Sequence, residues 1–201
     1  MMTITYKVKN GIYVNMTNRC PCACTFCLRK NSPGVYGSDP LWLDREPSVA
    51  EVCESLDGWD LKEYEEVVFC GYGEPTERLD DLLEVAKYIK SKSNIKIRIN
   101  TNGLSDLIHG EPTAHKLSGL IDAVSISLNA TNAEDYLKVV RPKFGIASFD
   151  AMLKFAKDCS GFVSDVMMTV VDVVTSQEEQ EKSREICESV GAKLRVRPYE
   201  S

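Results

Sequence analysis

Between residues 65 and 197 the chain alternates short apolar runs with longer amphipathic stretches, and this regular change of period limits the fold more than any other feature. The runs at 65–70, 95–100, 122–128, 165–173 and 193–197 read as strands. The segments near 79–92, 113–120, 132–139, 149–158 and 176–190 read as helices. With a strand at 11–16 this makes six parallel-type strands joined by helical connections, an α/β sheet that right-handed crossovers roll toward a barrel. A hairpin precedes it, with strands at 3–7 and 11–16 around an Asn10-Gly11 turn. A helix near 49–57 is expected behind Ser48, whose hydroxyl suits an N-cap. The pattern alone leaves open a doubly wound sheet and a partial barrel. In both, ligands gather at the carboxyl ends of the strands.

The strand at 11–16 runs directly into Cys20, Cys24 and Cys27, a C-x3-C-x2-C triplet. Thiolates are the standard ligands of iron–sulfur clusters, and a cube of four irons held by three of them leaves one iron free for a small molecule. Zinc is the alternative, with Cys22 as a fourth ligand in the same loop, although zinc sites usually draw on two separated pairs. A disulfide framework does not suit eight cysteines in 201 residues with no leader-like start. Cys53, Cys70, Cys159 and Cys187 stand singly among apolar residues and read as small core hydrophobes.

With Phe26 one place before the third cysteine, the loop closely resembles the signature of the radical SAM superfamily. The resemblance implies a partial (β/α)6 TIM-like barrel with a short N-terminal hairpin, one domain over 1–201. It implies a [4Fe–4S] cluster on Cys20, Cys24 and Cys27, with S-adenosylmethionine (SAM) on the open iron and Phe26 beside it. Reductive cleavage of SAM would give a 5′-deoxyadenosyl radical that takes hydrogen from a substrate.

Other strand ends extend the likeness. Gly71-Tyr72-Gly73-Glu74 stands where the family has a Gly-Gly-Glu-type loop for the methionine ammonium, with Tyr72 replacing the second glycine. Asn100 and Asn102 belong to a Thr-Asn-Gly tip, and Asn100 matches a position that touches the methionine amino group. Ser125, Ser127 and Asn129 alternate along one strand and so share a face. Positions matching Ser127 and Asn129 line the cofactor in related proteins, while the alternative for Ser125 is that it faces water or bonds backbone. Arg141 is a candidate clamp for the methionine carboxylate. Arg197 and Glu200, at the end of the last strand, would face the reaction chamber or belong to a frayed terminus. Size and loop context are most similar to the small radical SAM proteins associated with the TatD-family nuclease.

An electron donor such as flavodoxin or ferredoxin is implied, as is a peptide or macromolecular substrate covering the open side of the barrel. A glycyl-radical activase is a narrower version of this reading. A non-catalytic zinc or iron–sulfur regulatory module is the alternative of another class. The formal charge of -6 opposes attraction to nucleic acid phosphate or anionic lipid. No apolar run approaches the ~20 residues of a membrane span, so a cytoplasmic protein is expected. Arg19, Arg29 and Lys30 flank the cysteine loop and read either as solvated charge or as cations favouring a reduced cluster and a docking donor. His109 and His115 read as surface residues, and Glu178–Lys182 as a solvated helix face.

Overall fold

Alternation along a strand sends successive side chains to opposite faces, and the contrast between the two faces of this sheet sets the architecture. The computed structural model describes residues 2–30, 34, 37–172 and 176–197. The side chain of Lys30, and the readings placed on Val173 and Glu200, lie outside the described residues. The strands are β1 (Thr5–Val8), β2 (Gly11–Val14), β3 (Glu66–Phe69), β4 (Lys96–Thr101), β5 (Ala123–Ser127), β6 (Asp165–Val171) and β7 (Lys193–Arg197). They pair in chain order, β1 antiparallel to β2 and every later pair parallel.

One face of the sheet is apolar. Ile12, Val67, Phe69, Ile97, Ile99, Val124, Ile126 and Met168 bury against helices α2 (Leu79–Lys92) and α5 (Ser148–Cys159), which contribute Leu82, Val85, Ile89, Met152 and Phe155. Each large side chain so buried contributes about 1.5–3 kcal/mol. The other face carries Tyr13, Arg98, Asn100, Ser125 and Ser127. Parallel strands covered on both sides are normally apolar throughout; this face instead carries only a small apolar cluster, Tyr6, Val8, Leu41 and Tyr72 against Tyr13, beside its polar residues. Residues of both sheet edges, Tyr6 and Arg197 among them, line one cavity, which requires the sheet to curl. Among the described residues β7 does not pair with β1, and the result is a partial barrel with an open side.

Local sequence explains most helix ends. Ser48 and Glu51 form a reciprocal capping box at the start of α1 (Val49–Asp57), and Ser176 and Glu179 do the same for α6 (Gln177–Ser189). Asn132 caps α4 (Ala133–Val140). Three expectations need correction. The hairpin turn is Lys9-Asn10, with Lys9 in the left-handed region at φ 51° and Gly11 already paired with Val8. The helix expected near 113–120 is a single tight turn at Ala114–Leu117, and a short helix α3 (Ser105–His109) precedes it. Gly110, Pro112 and Gly119 leave no room for a longer one. Of the cysteines read as core, Cys159 and Cys187 are fully buried, Cys53 is half-buried at the periphery, and Cys70 turns into the cavity.

Candidate functional site

The polar face of the curled sheet opens on a cavity of about 530 Å3 that runs from the hairpin turn and Glu65 and Glu66, at the amino ends of the strands, to the cysteine loop at their carboxyl ends. That volume falls within the roughly 300–1,000 Å3 of small-molecule sites. Its wall brings together Cys20, Cys24, Cys27 and Phe26 with Gly71, Tyr72, Asn100, Asn102, Ser127 and Asn129. Ser125 lines it too, so its side chain turns inward rather than to water.

The cysteine loop is held from behind. The amide of Ala23 donates to Val140 O at 3.1 Å and that of Thr25 to Val139 O at 2.9 Å, while Lys143 N donates to Pro21 O at 2.8 Å. The chain can meet the loop this way because Arg141 caps α4 in the left-handed conformation, φ 52°. The Arg141 side chain is exposed and does not line the cavity, so its position gives no support to the carboxylate-clamp reading. Arg29 does line the cavity and donates through Nη2 to Cys22 O at 3.1 Å. Arg19 pairs instead with Glu46 at 2.7 Å, at the surface.

All eight cysteines are free thiols. Hydrogen bonding from Cys22 holds Cys20 below the usual thiol pKa. Its bonds with Cys20 and Cys24, together with burial, hold Cys22 well above it. Burial pushes Cys27 up. Among the described residues no three His, Cys, Asp or Glu side chains form a cage for a single metal ion. Cys20, Cys24 and Cys27 border the cavity together, and three thiols beside open space are the donor set that a cluster with a small-molecule ligand requires.

Unpartnered buried atoms provide a second test of fit. Asn129 Oδ1 and the Tyr136 hydroxyl are shut from water without a hydrogen-bond partner, and both residues line the cavity. Leaving a buried polar group unpaired costs about 1–3 kcal/mol, so both suit a polar ligand in this space. Asn129 holds φ 60°, a conformation asparagine tolerates better than most residues. Gly71 lies against Asn15, whose amide a methyl group there would overlap. These residues fit a cluster carrying SAM.

Glu74 corrects the reading of its loop. Only 4% exposed, it does not line the cavity. Its Oε1 accepts from Thr76 N at 3.1 Å, Thr76 Oγ1 at 2.8 Å and Thr101 Oγ1 at 2.7 Å, and its Oε2 accepts from Asn102 N at 2.7 Å. Burial pushes its pKa up, against the pull of these donors. Glu74 therefore ties the glycine loop to the Thr-Asn-Gly tip. Gly73 also faces away from the cavity, against the backbone of Thr17 and Arg19. His109 is half-buried, with Nε2 2.8 Å from Thr76 O, and so braces the same loop rather than standing free at the surface. His115 is exposed beside Phe162, as expected.

Strand spacing held a signal that sequence reasoning did not use, namely Arg98 between Ile97 and Ile99. Arg98 Nε and Nη2 bind both oxygens of Glu66 at 2.9 and 2.6 Å, and Nη1 donates to Asn100 Oδ1 at 2.6 Å. Tyr13 and Cys70 join them in the cavity wall, and burial raises the pKa of both, with Arg98 opposing.

Comparison with known proteins agrees with this geometry. A family profile described as the Radical SAM superfamily matches residues 14–182. A probable dual-specificity RNA methyltransferase RlmN from Chlorobium chlorochromatii (strain CaD3) is 26% identical over 198 residues, covering 90% of this chain and 50% of its own. The chain thus spans about half the length of that curated relative. Among solved structures, Streptococcus suis SuiB bound to precursor peptide SuiA superposes with a TM-score of 0.65 at 17% identity, over 94% of this chain and 39% of SuiB. A radical SAM methyltransferase from Sphaerobacter thermophilus gives 0.64 at 17% identity, over 96% and 57%. The structure titled native anSMEcpe with bound AdoMet gives 0.61 at 18%, over 94% and 51%. Among the described residues no helix is long and apolar enough to cross a membrane.

Proposed function

The chain belongs to the radical SAM superfamily, and on that premise we propose that residues 1–201 form one radical SAM core domain, with Cys20, Cys24 and Cys27 as ligands of its [4Fe–4S] cluster. The observation that carries the assignment is the convergence of these thiols and two unpartnered buried polar groups, Asn129 Oδ1 and Tyr136 Oη, on one cavity. When bound, the reduced cluster supplies the electron that cleaves SAM to methionine and a hydrogen-abstracting 5′-deoxyadenosyl radical.

The protein's own part is holding, orienting and shielding. Asn100 and Asn102, at the carboxyl end of β4, would meet the methionine end of SAM, with the Gly71 backbone in the wall beside them. Ser127 and Asn129 offer hydrogen bonds to the ribose hydroxyls and carboxylate. Phe26, Tyr72 and Tyr136 are the aromatic wall that limits water. Arg29 steadies the cysteine loop and places a cation beside it, which favours a reduced cluster and an acidic one-electron donor of the flavodoxin or ferredoxin kind.

The open side between β1 and β7 suits a peptide or macromolecular substrate that completes the enclosure; likeness of fold to a protein captured with its precursor peptide supports this reading. A nucleic acid substrate is disfavoured by the formal charge of -6.

Anaerobic reconstitution with iron and sulfide tests the proposal. About four irons per chain and dithionite-dependent release of 5′-deoxyadenosine are expected, with both lost in Cys24→Ala. One zinc per chain with no SAM cleavage would overturn it.

A further inference from the structure

The charge of the cavity wall runs against that of the chain. In a protein of formal charge -6, the cavity is lined by five cationic side chains and only two carboxylates, Glu65 and Glu66. Both carboxylates are engaged: Glu66 with Arg98, and Glu65 with the Asn10 amide at 3.0 Å. Arg29 belongs to the cysteine loop, and Lys9 sits in the hairpin turn at the amino end of β2. That leaves Arg195 and Arg197 on β7, across the chamber, with no ion pair to any described residue.

Their placement is specific. Arg195 and Arg197 alternate on β7 and both line the cavity, so this face of the edge strand points inward. Arg195 pairs in register with Thr169, and Thr169 with Ser127, which puts the arginine level with the proposed SAM site at the same end of the barrel. Arg197, opposite Val171, lies one step further out. The Nε of Arg197 is shut from water and donates to nothing. A guanidinium N–H shut from water without an acceptor, on a half-buried arginine two positions along the strand from the exposed Arg195, suits a doubly accepting anion.

We propose that Arg195 and Arg197 bind an anionic group of the substrate, a carboxylate or a phosphate, and so hold the substrate against the β7 edge of the chamber. The inference rests on the radical SAM reading of the cavity and names the substrate class for it. SAM also carries a carboxylate, and the test must separate the two sources.

Isothermal titration of the reconstituted full chain with inorganic phosphate and, separately, with succinate provides that test, each run without SAM and with SAM saturating. Saturable binding of at least one anion is expected, persisting when SAM is present and weakened at least tenfold in Arg195→Gln/Arg197→Gln. The Arg195→Lys/Arg197→Lys variant keeps both charges and loses only the forked geometry, so it should retain intermediate affinity and guards against a folding artefact. Absence of saturable binding in the unaltered protein, or unchanged binding in the double glutamine variant, would overturn the proposal. Displacement of the anion by SAM would assign the arginines to the SAM carboxylate and overturn it equally. Failure of the radical SAM reading shows separately, as a chain that takes up no iron.

Discussion

Arg98 is the side chain whose environment is most at odds with its chemistry. It is 7% exposed inside the barrel and survives there because Glu66 meets it with both oxygens and Asn100 accepts a third bond. Breaking a buried pair by removing one partner costs about 3–5 kcal/mol, because the other charge is stranded. Glu66 keeps 25% side-chain exposure, which favours the lower end. Arg98→Gln should therefore lower Tm by roughly 6–12 °C in a chain of this size, followed by circular dichroism. Arg98→Met/Glu66→Gln, which leaves no stranded charge, should lower it less than Arg98→Gln alone.

Among elements, the glycine loop after β3 and the capped start of α1 depend on different forces. Gly73 has no space for a side chain: a Cβ there would lie 2.6 Å from Arg19 O, and backbone cannot swing aside as a side-chain tip can. Gly73→Ala should push the Thr17–Arg19 segment and with it the cysteine loop. The expected result is a fall in bound iron per chain after reconstitution, with all three ligand thiols intact. At α1 the force is electrostatic. The Arg45 guanidinium first, then the amide and hydroxyl of Ser48, hold the Glu51 carboxyl down to about 2 from its ordinary 4.5. A depressed folded-state pKa contributes stability that is complete above the unfolded value and is lost as pH falls toward the folded one. Glu51→Gln should therefore be less stable than the unaltered chain at pH 7, and the gap between their urea midpoints should narrow from pH 5 to pH 3.

At the scale of the whole molecule, the apolar face of the sheet and the polar chamber are separable in energy. The core built on Ile12, Phe69, Ile99, Ile126 and Phe155 is complete without any group in the cavity. The iron-free chain should keep its helical circular dichroism and unfold cooperatively, unlike a zinc finger, which needs its metal to fold. Reconstitution should raise Tm, since a ligand that binds only the folded state stabilises it by mass action. Non-cooperative melting of the iron-free chain would contradict this.

The order of strands and helices was legible along the chain because periodicity is local: Ile95 to Asn100 announces β4 without reference to anything else. Local chemistry made the cysteine triplet and the cap at Ser48 equally plain. Register decided the rest. It set Glu66 beside Arg98, 32 residues away, and turned Glu74 from a presumed ligand contact into a tie between two loops. It left the Arg141 side chain in solvent while its backbone supports the cysteine loop, and it brought Arg195 and Arg197 into the wall that Cys20 begins. Sequence determined which elements form, since each needs only its own neighbours. Which polar groups face one another depends on how distant strands align, and only the curled sheet specifies that.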